Sequence, residues 1–133
     1  MFFNKNQNSS YNFVAPNIAA HADKKIEVPF PTFETITPVI ASNACEINVN
    51  CKETVVDLET IAANTTIKIN KTDNTVEGDK VVVKVKTTAT ETVTFTGDVV
   101  VPTVTGVAGK TKIQSLIFIG EKFVPVASAV QID

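Results

Sequence analysis

Residues 80–97 read KVVVKVKTTATETVTFTG, and their alternation decides the fold class. Val81, Val83 and Val85 share one parity, while Lys80, Val82, Lys84 and Lys86 share the other. Val93 and Phe95 then alternate with Thr92, Thr94 and Thr96. Successive side chains of an extended chain point to opposite faces, so each run reads as a strand with one dry face. Outward threonine suits a solvent-facing strand, where its branched side chain packs on the pleat and its hydroxyl meets water.

The same pattern extends in both directions from this stretch. Upstream, CEINVNC (45–51) places Cys45, Ile47, Val49 and Cys51 on one parity. If the strand is continuous, a rise of about 3.3 Å per residue sets the two thiols roughly 20 Å apart. A disulfide needs Cα atoms within about 7 Å, so two unpaired, core-facing thiols are expected. TVVDL and TTIKIN, and downstream DVVVPTV and KIQSLIFI, are short runs rich in Val, Ile and Thr between Gly, Asn and Asp breaks. ETVVDLETIAAN (53–64) carries apolar spacing compatible with a short helix, but its Val-Val pair and the following TTIKIN favour strand and loop. SLIFIGEKFVPV (115–126) sets Gly120-Glu121 between two apolar runs; glycine first in a two-residue loop predicts a type II′ hairpin. Strands at regular spacing without helical patterns predict an all-β fold, an antiparallel β-sandwich or jelly-roll-like module.

The composition changes near residue 40. Before it lie four of the six prolines (Pro16, Pro29, Pro31, Pro38) and six of the nine aromatics: Phe2, Phe3, Tyr11, Phe13, Phe30 and Phe33. Proline removes a ladder donor, so VPFPTFETITP (28–38) reads as an extended arm or an edge segment. APNIAAHADKK (15–25) has the weak propensity for one or two helical turns, with His21 on its surface. The expected organisation is an extended N-terminal arm over 1–40 and a β-domain over 41–133. Aromatics without local partners require the arm either to lie across its own domain or to be buried on another chain, and the second makes these six its partner-binding residues.

At 133 residues the chain is the size of one domain. Its net charge is −2, and all twelve basic residues are lysine. Arginine forks are absent and aromatic platforms for stacking bases are thin, with no Trp and a single Tyr11, so nucleic-acid binding is not expected. No apolar run reaches the length of about 18 residues that spans a bilayer, so no membrane partner is expected. The opening MFFNKNQNSS lacks the apolar stretch of a secretory signal. Export by the general route is therefore not expected, the sequons at Asn8, Asn64 and Asn70 read as chance, and both cysteines are expected to be reduced.

Chemistry-bearing patterns are weak. DNTVEGD (73–79) lacks the spacing and terminal glutamate of a calcium loop. VTGVAGK (104–110) fails the phosphate-loop spacing, since only two residues separate its glycines. The carboxylates are dispersed, and Ser115 has no nearby base in sequence. No catalytic residue, metal site or cofactor is expected, and the chain does not read as an enzyme.

From Asn64 to Val126, TTIKI (65–69), Gly78-Asp79, TVTF (92–95), AGKT (108–111) and the hairpin from Ile117 to Phe123 follow one another in order. This succession resembles the small β-modules of tailed-bacteriophage virion structural proteins. The chain departs from them at FIGEKF (118–123), and Phe95 and Phe123 stand where those modules carry tryptophan. The resemblance implies a head-decoration, head-fibre or tail-associated protein, often trimeric. Its implied partners are its own copies, the major capsid protein and other virion proteins. The expected location is the capsid exterior, after assembly in the host cytoplasm. A tail or baseplate component is the nearest alternative. A carbohydrate-binding or adhesin module is the rival from another class, and it would want exposed aromatics for sugar faces.

Overall fold

A computed structural model describes residues 32–133 as ten strands in two sheets, with no helix among the described residues. In chain order these are β1 (Phe33–Ile36), β2 (Ala44–Asn48), β3 (Glu53–Asp57), β4 (Thr65–Asn70) and β5 (Lys80–Lys86). They continue with β6 (Thr92–Gly97), β7 (Val104–Thr105), β8 (Thr111–Ile119), β9 (Lys122–Pro125) and β10 (Val130–Gln131). The first sheet runs β9-β8-β5-β3-β1, with β10 also paired to β8; the second runs β2-β4-β6-β7.

The chain alternates between the sheets. β1, β3 and β5 lie side by side in parallel in the first, and β2, β4 and β6 do the same in the second. Phe33 pairs with Glu53 and Glu53 with Lys80; Ala44 pairs with Thr66 and Thr66 with Thr94. Parallel neighbours need a crossover of a dozen or more residues, which an α-helix usually provides. Here each crossover contains a strand of the other sheet. The first six strands therefore wind as flattened coils, in the manner of a β-solenoid. Antiparallel pairing closes the far end through β7 on β6, β8 on β5, and β9 and β10 on β8.

The all-β class and the two sheets agree with the sequence, but the antiparallel sandwich or jelly roll does not: both sheets are mixed. Alternation fixes which face a side chain takes and is blind to strand direction. Only a very short loop forces an antiparallel neighbour, and the short link Thr87–Glu91 does not make a hairpin. It turns the chain from one sheet to the other. The Glu91 carboxylate accepts hydrogen bonds from the Ala89 N–H and the Thr88 hydroxyl, each at 2.8 Å, which ties that corner locally. These bonds, led by the Ala89 N–H, hold the Glu91 carboxyl below its usual range. Gly106 is needed beside this corner because a Cβ there would stand 2.2 Å from the Thr87 hydroxyl oxygen.

The core is mostly aliphatic, with Phe95, Phe118 and Phe123 among its Ile, Val and Leu side chains. Ile47, Ile67, Ile69, Val81, Val83, Val93, Leu116 and Phe123 are completely or almost completely buried. The Phe118 and Phe123 rings meet at 4.9 Å, tilted by 55°. The hairpin at Gly120-Glu121 joins β8 to β9 as expected, with Ile119 opposite Lys122. Its turn type differs from the expectation. Gly120 has φ 63° and Glu121 φ 72°, and positive φ at both central residues marks type I′.

The strand around CEINVNC ends at Asn48. Val49 extends the ladder by one hydrogen bond, donated to the Asn70 carbonyl at 3.0 Å, and the chain then bends toward β3. The through-strand spacing predicted for the two thiols therefore does not apply, although both are unpaired. The ETVVDLETIAAN stretch is strand β3 followed by loop. β1 lies within the span read as arm and forms an edge of the first sheet. The helical turns expected around residues 15–25 lie outside the described residues.

Candidate interaction surface

The two sheets turn unlike outer faces to solvent. In the second sheet the outward positions are Ala44, Glu46 and Asn48 on β2, Thr66, Lys68 and Asn70 on β4, and Thr92, Thr94 and Thr96 on β6. These side chains interact with one another. Asn70 Nδ2 donates to Glu46 Oε2 at 2.5 Å and to Asn48 Oδ1 at 3.1 Å, and Lys68 stands 3.8 Å from Glu46. Apart from Ala44 this face is polar.

The outer face of the first sheet is different. Strand register places Phe33, Glu53, Lys80, Ile117 and Val124 in one row. Thr35, Val55, Val82 and Ser115 form the next. Asp57, Lys84, Ile113 and Val130 form a third. Val55, Val82, Ile113, Ile117 and Val124 are half-buried, while Phe33 is 55% exposed and Ile119 51% exposed. Lys84 and Asp57 pair across β5 and β3 at 3.2 Å. The half-buried apolar residues are interleaved with Glu53, Lys80, Asp57 and Lys84, so this face is amphipathic where that of the second sheet is polar.

Among the six aromatic residues assigned to partner binding, Phe33 is the one that the structure places. It lies on edge strand β1 and opens the first row of this patch. Phe2, Phe3, Tyr11, Phe13 and Phe30 lie outside the described residues. The patch itself was not singled out from the sequence, although a signal was present. KVVVKVK and TKIQSLIFI carry apolar residues at both parities, as strands covered on both faces do.

Several other polar groups brace the fold. The Asp79 carboxylate accepts the Val76 N–H at 3.0 Å, and the Thr72 and Thr75 hydroxyls donate to the Val49 carbonyl at 2.8 and 3.0 Å. The loop considered for calcium is thus cross-braced to the strand end at Val49. In the VTGVAGK turn the Gly109 N–H donates to the Thr87 carbonyl at 2.9 Å. Among the described residues, no three His, Cys, Asp or Glu side chains converge. A cleft of about 430 Å³ lies between the β1–β2 and β3–β4 loops, lined in part by Pro38, Val39, Glu59 and Thr60. Another of about 470 Å³ is lined in part by Pro102, Thr103, Lys112, Gln114 and Ser128. Its longest polar side chains are engaged by backbone. Lys112 Nζ donates to the Thr105 carbonyl at 2.8 Å, and Gln114 Nε2 donates to the Ala127 carbonyl at 2.9 Å.

Burial raises the Cys51 thiol above its ordinary range, and a hydrogen bond to Glu34 with the charges of Glu34 and Asp79 adds to this. Partial burial raises Cys45 as well. At neutral pH both are protonated thiols, the less nucleophilic form. Lys71 pairs with Glu121 of the hairpin turn, and that hydrogen bond holds its ammonium above the usual range.

No family model matches the chain, and no curated protein or solved structure shows significant similarity to it.

Proposed function

We propose that the chain is a non-enzymatic virion structural protein of a tailed bacteriophage, a capsid-decoration or head-fibre subunit on the particle exterior. The observation that carries a structural role is the contrast between the two outer faces. One is polar and suited to water; the other presents an apolar patch suited to a protein neighbour. The succession of motifs from Thr65 to Phe123 supports the virion assignment. The N-terminal arm, with Phe2, Phe3, Tyr11, Phe13, Phe30 and Phe33, supplies the anchor to the particle. Homo-oligomers and the capsid lattice are the partners this role requires. The carbohydrate-binding alternative has less support, because Phe33 is the one exposed aromatic among the described residues.

The test is co-sedimentation of the full chain with purified phage particles from infected cells, read by quantitative mass spectrometry. A fixed copy number per particle is expected. A chain that remains in the supernatant, or that binds a glycan array instead, would refute the virion reading.

A further inference from the structure

We propose that residues 128–133 form a strap across the edge of β8 whose closure is set by the charge of Asp133. Ionised, the carboxylate clamps Thr111; protonated, it lets the strap lift away from β8. This conformational control is independent of the virion reading and stands or falls without it.

The clamp is built into the ladder. β10 pairs with β8 at Val130–Ile113 and Gln131–Lys112, and the Ile132 N–H donates to the Thr111 carbonyl at 3.0 Å. In a regular antiparallel rung the Thr111 N–H would return that bond to the Ile132 carbonyl. It donates instead to Asp133 Oδ1 at 2.7 Å, and the Thr111 hydroxyl donates to Asp133 Oδ2 at 3.2 Å. A side-chain carboxylate thus stands in for a backbone acceptor. Hydrogen bonds to an ionised acceptor are roughly twice as strong as neutral ones, so the last rung depends on charge. Gln131 Nε2 donates to the Asp133 carbonyl at 2.8 Å and ties the residue to its own strand.

Apolar burial holds the strap weakly. Val130 and Ile132 are 57% and 60% exposed, Ser128, Gln131 and Asp133 are exposed, and Ala129 is half-buried. A short, exposed strand belongs to the part of a fold that opens first. Its hinge is better anchored. The Val126 N–H donates to the Ser115 carbonyl at 3.0 Å, and buried Gln114 donates through Nε2 to the Ala127 carbonyl at 2.9 Å. The charges facing Asp133 are Lys110, in the turn before β8, and Lys86, at the end of β5 opposite Thr111. The Thr111 N–H most of all, then its hydroxyl and the two ammoniums, hold the Asp133 carboxyl below its ordinary range against the cost of desolvation. In a lifted strap the group would titrate near roughly 3.9. The closed state therefore binds the proton more weakly; closure is complete above that pH and is lost as pH falls through the lower, closed-state value. Opening unpairs the edge of β8 at Lys112 and Ile113 and takes Ser128 and Ala129 out of the wall of the 470 Å³ cleft. An unpaired edge offers N–H and C=O groups to an incoming strand.

The experiment is nuclear magnetic resonance of the isotope-labelled full chain, titrated from about pH 7 to about pH 2.5. The nuclear Overhauser contact between Val130 and Ile113 reports closure, and the amides of β5 report the fold. In the wild type the contact should persist to about pH 5 and be lost below about pH 4, with the β5 amides unchanged. Asp133→Asn carries no charge and should lose the contact already at about pH 7. Lys86→Gln combined with Lys110→Gln keeps the carboxylate and should move the opening to higher pH. A contact that survives in Asp133→Asn, an opening pH that the lysine changes leave where it was, or loss of the β5 signals together with the strap would overturn the proposal.

Discussion

Thr54 sits in the core with its hydroxyl buried and without a hydrogen-bond partner. Its row on the inner face holds Glu34, Val81 and Leu116. Leaving a buried hydroxyl unpaired costs roughly 1–3 kcal/mol, and valine has the same shape without that group. Thr54→Val should therefore stabilise the fold by about 1 kcal/mol in denaturant titrations, and an equal loss would show that the hydroxyl is bonded. The thiols give a pH dependence. Folded Cys45 and Cys51 keep their protons where unfolded thiols, with pKa near roughly 8.5, have lost them. The unfolded state then binds fewer protons, so stability is whole below that pH and falls as pH rises above it. Denaturant midpoints between about pH 8 and 10 should decline, and Cys45→Ala with Cys51→Ala should flatten the decline. At this scale the sequence was legible for burial, because parity alone placed Ile47, Val83 and Phe95 inside. It did not reveal that the Glu34 carboxylate lies near Cys51, which depends on β1 lying beside β3.

The β8–β9 hairpin is the element most fully readable from the sequence, since a two-residue loop between apolar runs leaves few alternatives. Its turn was read one residue short. Glycine explains positive φ at position 120, but Glu121 adopts φ 72° without that freedom. The left-handed region costs an L-residue roughly 1–2 kcal/mol. Glu121 keeps it while its carboxylate pairs with Lys71 and the Gly120 N–H donates to Glu77 Oε2 at 2.9 Å. Glu121→Gly should stabilise the protein by roughly 0.5 kcal/mol, because relief of strain outweighs the loss of an exposed ion pair. Gly120→Val should destabilise it by more than about 1 kcal/mol, because a β-branched residue is strained there. Thermal melts of the two variants should move in opposite directions from the wild type; movement in the same direction would exclude the type I′ turn.

For the whole molecule, the winding of the chain was the least legible property. Each strand announces its own faces, but pairing sense depends on where the intervening residues travel. The Thr87–Glu91 corner looks like a hairpin loop until its route between sheets is seen. Among the described residues the winding leaves β1 and β2 at sheet edges, while β5 is paired with β3 and β8. Backbone amides of β5 should accordingly exchange with deuterium most slowly, and those of β1 and β2 should exchange earlier. The same topology brings Val55, Val82, Ile113 and Ile117, scattered over three strands, into one patch.

That face as the association surface is the central claim, and hydroxyl-radical footprinting tests it most directly when the free chain and the chain on purified particles are compared. Val82, Ile117 and Val124 should lose reactivity on the particle, while Thr94, Lys68 and Thr66 on the other face stay unchanged. Protection of the threonine face, with the valine and isoleucine rows still reactive, would contradict the account.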